Sequence, residues 1–277
     1  MSSRPSLPAV LGAAGTVFLV ALLAASLVAD VVAPFNPFDL NIYDRHLAPT
    51  LIGAHQLGTD YLGQDILRLI LAGAKTSLAV GLLTAGGAAI VGTALGILSG
   101  YRGSWVDQVV MRLVDLQMAF PALVLALFVL TTVGPGLTNL VIVLAISRWP
   151  VFARVARAST LSLREREFIE SAKAIGCRPG RIMARHVLPN VGFGQLTLAV
   201  LEVARAMLTE GGLSFLGLGV QPPDVSWGLM LSQGRGYITT AWWDVTFPGM
   251  ALLVTALSLN FVALWFRGVA SPTERTR

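Results

Sequence analysis

Three charged residues lie close together in a stretch of the sequence that is otherwise almost entirely apolar. Glu202 and Arg205 are three residues apart, which places both on one face of a helix, and Glu210 follows five residues later. Charged groups within apolar sequence either form a structural ion pair or line a polar pathway for a solute. These side chains could therefore bind charged groups, either each other's or those of a solute, and both interpretations remain open.

Residues that could catalyse a reaction or bind a metal do not occur at the spacings that such sites need. The three histidines, His46, His55 and His186, lack metal-ligand spacing, and the single cysteine, Cys177, has no histidine placed to activate it. The sequence contains neither a G-x-S-x-G nucleophile motif nor a G-x-x-x-x-G-K-[ST] phosphate-binding loop. We therefore predict no metal site and no catalytic site, and any nucleotide chemistry must reside in another chain.

The composition indicates the class of protein in which these charges lie. Of the 277 residues, 55% are hydrophobic and only 13% are charged, about half the charged fraction of an average soluble domain. This excludes an ordinary water-soluble globule and favours membrane-spanning helices of about 20 residues. Six spans are expected, over about 5–29, 76–101, 106–133, 137–154, 191–213 and 245–266, the first of them an uncleaved anchor. Gly134-Pro135-Gly136 is expected to form a tight hairpin between the third and fourth spans.

The distribution of basic residues predicts the orientation. Six spans place both termini on one side, and the excess of Lys and Arg assigns that side to the cytosol. This arrangement puts 15 of the 20 Lys and Arg residues in the cytosol, which explains the net charge of +5 without a nucleic-acid partner. The sequence thus predicts an all-α integral membrane protein with six transmembrane helices and cytoplasmic N- and C-termini.

The expected organisation has three parts. Residues 1–75 form a transmembrane anchor with an outer segment, residues 76–267 form the transmembrane core with a cytosolic loop at about 154–190, and residues 268–277 form a cytosolic tail. Four apolar residues of the outer segment share a helical face, which indicates either a helix lying at the membrane interface or a cap on the bundle: Leu62, Ile66, Leu69 and Ile70.

Small residues form a stripe on the second predicted span. Gly92, Gly96 and Gly100 repeat every four residues, so they share one face of the helix and allow a second helix to approach closely. Packing against another helix of the same chain is the favoured interpretation. Contact with a second membrane subunit is the alternative.

The cytosolic segment Arg154–Asn190 is predicted to form a helix, a sharp turn and a second helix. Gly176 suits the left-handed position that ends a helix, Pro179 suits the first turn of the next, and Pro189 is expected to end that second helix. Seven apolar residues recur at spacings of three, four or seven: Val155, Ala158, Leu161, Phe168, Ile169, Ala172 and Ile175. Such a helix pair either docks in a groove of a partner protein or lies on anionic lipid headgroups.

The spacing within this segment resembles the EAA loop of ABC importer permeases. The matching residues are Glu170-Ser171-Ala172, then Gly176, then His186-Val187-Leu188-Pro189. Ser171 replaces the second residue of the family pattern, an alanine, and His186 stands where the broad family has isoleucine. The ending Arg185 to Asn190 is similar to the dipeptide, oligopeptide and nickel branch. So are other segments: His55, Leu57-Gly58-Thr59-Asp60, Leu62-Gly63, Asp65, Asp107, Arg112, Asp115, Pro121, Trp149-Pro150, Ala153-Arg154, Glu210, Leu213 to Pro223 and Ser226-Trp227-Gly228.

The resemblance implies a type I ABC importer permease fold in a bacterial inner membrane. It implies a heterodimer with a second permease subunit, two ATP-binding subunits that bind the EAA loop, and an extracytoplasmic solute-binding protein. ATP and Mg²⁺ would belong to the ATP-binding subunits, with no cofactor bound by this chain. Dipeptides or oligopeptides are the expected solutes, and nickel or another small solute is the alternative. A stand-alone secondary transporter, the second class, would show inverted repeats, and a membrane-bound hydrolase would need a nucleophile and a base on one face.

Overall fold

The computed structural model describes residues 7–32, 36, 39–50, 53 and 55–270. The first and last residues of the predicted anchor and tail, 1–6 and 271–277, lie outside this part of the chain. The described residues form helices, short 3₁₀ turns and connecting loops, which confirms the predicted all-α class. The helices are α1 Leu7–Val32, α2 Ile66–Arg102, α3 Ser104–Met118, α4 Ala122–Val133, α5 Leu137–Arg164, α6 Glu167–Ala174, α7 Pro179–Ile182, α8 Leu188–Phe215, α9 Trp227–Gly234 and α10 Trp243–Ala270.

Five segments of the described chain are long and apolar enough to cross a membrane, and α3 with α4 would provide a sixth span if counted together. The five are Pro8–Ala29, Ile66–Arg102, Leu137–Arg164, Pro179–Phe215 and Trp243–Gly268. The predicted hairpin between the third and fourth spans is present, since α4 ends at Val133 and α5 begins at Leu137.

The prediction of one continuous helix over 106–133 is wrong. Helices α3 and α4 meet at an angle of 83°. Pro121 lies at the break. It accounts for the break because proline has no N–H to donate and disfavours helical geometry in the residue before it. The 12 residues of α4 extend only about 18 Å, which is shorter than the hydrocarbon core of a bilayer. Polar contacts tie α3 to α5: Arg157 Nη2 donates to Asp107 Oδ2 at 2.6 Å, and Trp149 Nε1 donates to Gln117 Oε1 at 2.7 Å.

The stripe of small residues on α2 lies directly against α5 of the same chain. A Cβ added at Gly92 would lie 2.6 Å from Phe152 Cβ, and one added at Gly96 would lie 2.7 Å from Ala156 Cβ. At Gly100 the same addition would come within 2.9 Å of a side-chain carbon of Thr160. Helices α2 and α5 therefore touch backbone to backbone along this stripe.

The first turns of α2 are part of the protein core. Ile66, Leu69 and Ile70 are buried against Trp227 and Trp243. Of the two interpretations, the cap on the bundle agrees with this burial. The helix at the membrane interface does not, because the helix that starts at Ile66 continues without a break to Arg102. Trp227 closes this end of the bundle, since its Nε1 donates to the Ile70 carbonyl at 2.9 Å.

A cap fixes the start of α2. Asp65 Oδ1 accepts the N–H of Arg68 at 3.0 Å, while Asp65 Oδ2 lies 2.9 Å from His55 Nδ1. We expect Asp65→Ala to destabilise the protein by about 1 kcal/mol because the first turn loses its acceptor. The unfolding midpoint in detergent should fall by about 2–4 °C. Asp65→Asn keeps an acceptor oxygen and should stay near wild type, so an equal loss in both variants would contradict the capping role.

The outer segment before α2 folds back on itself. Asp60 Oδ1 accepts the N–H groups of Leu62 at 2.9 Å and Gln64 at 2.7 Å. Burial nevertheless raises the pKa of Asp60 above its ordinary value, and the two backbone donors only partly offset this. Next to it, His46 Nδ1 lies 3.3 Å from Asp244 Oδ2 at the start of α10. The predicted outer motif is thus a compact structure attached to the bundle.

Candidate functional site

The segment predicted to be cytosolic forms two short helices that meet at a sharp turn. Helix α5 ends at Arg164, and after a break at Glu165 and Arg166 the chain forms α6, Glu167–Ala174. Pro179 then starts α7 in its first turn, as predicted. We call residues 165–189 the helix-pair loop.

Backbone hydrogen bonds define the turn at Gly176. The N–H of Gly176 donates to the carbonyl of Lys173 at 3.0 Å, and the N–H of Cys177 donates to the carbonyl of Ala172 at 3.0 Å. This pair of bonds is the Schellman arrangement, which requires a left-handed residue directly after the helix. Gly176 has φ +80° and supplies that residue. The end of α6 is therefore satisfied by the turn itself.

The helix-pair loop rests on the bundle through an apolar contact. Ile169 and Ala172 of α6 and Ile182 of α7 are buried together with Ile97 of α2 and Ala156 of α5. Val187, directly before α8, and Val191, in its first turn, complete this cluster. Side chains from both short helices therefore share one core with α2, α5 and the residues that lead into α8.

Most of the residues that resemble the EAA loop lie on its outer surface. Glu170, Ser171, Gly176, Leu188 and Pro189 are exposed. Three are not: Ala172 and Val187 are buried in the apolar contact, and His186 is half-buried with its ring 6.5 Å from the ring of Phe168. Part of the motif therefore holds the loop in place, and part of it presents a surface.

The predicted end of the second helix at Pro189 is wrong. A π-helical turn, Met183–Val187, connects α7 to α8, and the helix continues through Pro189 to Phe215. The N–H of Leu188 donates to the carbonyl of Met183, five residues back. This wider turn before Pro189 lets the ring avoid the steric clash that a regular helix would impose.

The predicted apolar face of the loop is only partly correct. Ile169 and Ala172 are buried, but Val155 and Ala158 are exposed, and Ile175 is 81% exposed at the turn. The break at Glu165 and Arg166 explains the difference, because it changes the direction of the chain and ends the periodicity.

The charged residues of α8 form an ion-pair cluster that includes a residue of α5. Glu202 is fully buried, and its Oε1 accepts from Arg205 Nη1 at 3.1 Å while its Oε2 lies 3.2 Å from Arg148 Nε. Arg148 is the partner that sequence reasoning missed, since it was placed with the cytosolic charges. Its position directly after 32 uncharged residues was the available signal.

Glu210 is separate from this ion-pair cluster. Its Oε1 accepts the hydroxyl groups of Ser214 at 2.6 Å and Ser226 at 2.7 Å, and the carboxyl is fully buried. Ser226 also caps α9 by accepting the N–H of Leu229 at 3.1 Å. The structure thus brings Glu202 and Arg205 together but turns Glu210 towards the start of α9.

The fold defines a helical membrane protein whose long apolar helices are accompanied by an exposed helix-pair loop. Residues 92–276 match the family of binding-protein-dependent transport system inner membrane components, and the chain belongs to that family.

Relatives align with this chain over nearly its whole length. The dipeptide transport system permease protein DppC of Alkalihalophilus pseudofirmus is 39% identical, over 93% of this chain and 83% of its own length. The glutathione transport system permease protein GsiD of Pectobacterium atrosepticum is 36% identical, over 94% of this chain and 86% of its own. A putative peptide transport system permease protein of Brucella suis is 37% identical, over 93% and 86%.

Solved structures support the fold. An inward-facing structure of the MetNI methionine ABC transporter matches with a TM-score of 0.58 and 19% identity, over 76% of this chain and 98% of that one. The chain is therefore a non-catalytic permease component of an ABC importer in a bacterial inner membrane. Such components work together with ATPase and solute-binding partners.

Proposed function

We propose that this chain is one of two different permease subunits of a peptide importer and that its helix-pair loop binds an ATPase subunit. The observation that carries the proposal is the loop itself: its turn is fixed by backbone bonds, its inner side is packed on three helices, and its outer side is exposed. A rigid projection of this kind suits a groove on a partner protein. The surface residues Glu170, Ser171, Gly176, Leu188 and Pro189 would contact the ATPase, while Ala172 and His186 support them.

The loop can transmit force because it is stiff and shares a core with α2, α5 and α8. ATPase subunits that close on nucleotide would move the loop and tilt these helices between inward-open and outward-open packings. A full shift of such an equilibrium from 1:99 to 99:1 requires about 5.5 kcal/mol of differential interaction. A flexible connection would bend instead, and the movement of the ATPase subunits would not tilt the helices.

Crosslinking tests the contact directly. Ile175 is 81% exposed at the turn, so a maleimide photo-crosslinker attached to Ile175→Cys in a Cys177→Ser background should capture an ATPase subunit of the assembled importer. Tyr43→Cys, which is 98% exposed in the outer segment, is the matched control and should capture none. Capture of an ATPase from position 43, or its absence at position 175, would exclude the proposed docking.

The remaining assembly follows from the same proposal. A second permease subunit would pair with this chain, two ATP-binding subunits would hold ATP and Mg²⁺, and an extracytoplasmic binding protein would deliver the solute. This chain itself would bind no cofactor. Dipeptides or oligopeptides are proposed as solutes because relatives that are 36–39% identical carry the names of dipeptide, glutathione and peptide systems.

The charged residues of α8 are proposed to belong to the translocation pathway. Support comes mainly from Arg205, whose side chain is 60% exposed in the single chain while its partner Glu202 is fully buried. Glu210, also predicted for the pathway, is buried and bonded to two serines. It would act there only by holding α9 against α8.

A further inference from the structure

An exposed guanidinium lies deep in a helix that crosses the membrane. Arg205 is ten residues from the end of α8 at Phe215, a distance of about 15 Å along the helix. Placing an arginine at this depth against lipid is strongly unfavourable. This face of α8 must therefore be covered by protein or by a water-filled pathway.

The surroundings of Arg205 on this face are largely apolar, apart from Thr209, whose hydroxyl donates to the Arg205 carbonyl at 2.8 Å. Leu208 and Gly212, at three and seven residues further on, are also exposed. A largely apolar surface with one fixed polar group is typical of sites that bind small molecules. The polar group then sets the orientation of the ligand.

Glu202 holds Arg205 in one orientation and leaves part of it available. The carboxylate accepts from Nη1 at 3.1 Å. Among the residues that the structure describes, none forms a hydrogen bond with Nε or Nη2 of Arg205. These two groups point the same way from the guanidinium and match the two oxygens of a carboxylate.

The charge balance favours an anionic ligand. Arg148 Nε lies 3.2 Å from the second oxygen of Glu202, so two guanidinium groups share one buried carboxylate and leave one positive charge. Glu210 does not compensate for it, because its carboxyl faces Ser214 and Ser226. A carboxylate placed at Arg205 would complete the balance.

We propose that Arg205 binds the C-terminal carboxylate of a peptide as it passes through the importer, with Glu202 and Arg148 as positioning residues. This inference rests on the proposed peptide transport and names the part of the solute that the site recognises. The carboxylate accepts hydrogen bonds from Nε–H and Nη2–H of a guanidinium that Glu202 already holds in position.

The test compares two probes in the assembled importer with its binding protein, reconstituted in vesicles. Uptake of dialanine and of dialanine C-terminal amide is measured for wild type, Arg205→Gln and Arg205→Lys. We expect Arg205→Gln to lower dialanine uptake about tenfold or more and to leave amide uptake nearly unchanged. Arg205→Lys retains the charge without the two-pronged geometry and should give an intermediate ratio. Discrimination by the binding protein is common to all variants, so it cancels when their ratios are compared.

Leu196→Gln is the matched control, because it introduces the same side chain at an exposed position of α8 nine residues before Arg205 and should leave the acid-to-amide ratio at the wild-type value. An equal fall for both probes in Arg205→Gln, or loss of the second permease on copurification, would assign Arg205 to assembly and overturn the carboxylate site. An unchanged ratio would overturn it as well. If the wild-type importer hydrolyses ATP but takes up neither peptide, the proposed peptide solute itself is wrong.

Discussion

Gly176→Leu is expected to uncouple the importer while the chain still reaches the membrane. Gly176 has φ +80°, and a side chain with a Cβ costs about 1–2 kcal/mol in that left-handed region. The strain falls on the turn alone, since an added Cβ at Gly176 would meet no atom within 4 Å. Substrate-stimulated ATPase activity of the assembled importer should therefore fall by about tenfold.

Two variants separate turn geometry from side-chain size. Gly176→Asn should retain most of the activity because asparagine tolerates the left-handed conformation better than leucine. Gly180→Ala lies in α7, where a Cβ also meets no atom within 4 Å and where φ is not positive, so it should be near neutral. Normal stimulation in Gly176→Leu would show that the turn does not transmit the signal from the ATPase.

Local signals in the sequence predict this turn well. A helix that stops at a glycine and restarts at a proline involves only neighbouring residues, and Gly176 and Pro179 act as the sequence indicates. The long apolar spans are predictable for the same reason, because length and hydropathy are properties of one segment at a time.

The effects of proline depend on the surrounding chain and are harder to predict. Pro121 breaks the predicted third span, whereas Pro189 lies inside a helix that continues to Phe215. The difference lies in the π-helical turn before Pro189 and in the packing of Val187 and Val191 against the loop core. Neither feature is visible from a proline and its immediate neighbours.

Contacts between side chains of different helices also cannot be predicted from one segment of the sequence. Glu202 and Arg205 were recognisable as a pair because they belong to one helix turn. Arg148 joins them only because α5 and α8 pack at that depth. Glu210 likewise accepts from Ser214, four residues further on in α8, which helical spacing predicts, and from Ser226 at the start of α9, which no spacing rule predicts.

Gly96→Ala is expected to have the largest effect on stability. An alanine Cβ at this position would lie 2.7 Å from Ala156 Cβ and would also meet the carbonyl oxygen of Ala153. The backbone of α5 cannot move aside without disturbing Gly92 and Gly100, which make the same kind of contact on either side. Overpacking of this kind costs about 1–3 kcal/mol. The thermal midpoint and the monodisperse yield after extraction in detergent should both fall clearly.

Gly86→Ala is the matched control on the same helix. An added Cβ there meets no atom within 4 Å, and alanine is favoured over glycine inside a helix by roughly 0.5–1 kcal/mol. The two substitutions make the same chemical change and should shift stability in opposite directions. If both variants behaved alike, the close approach of α2 to α5 would not be set by the stripe of glycines, and contact with the second permease subunit would become the better explanation for Gly92, Gly96 and Gly100.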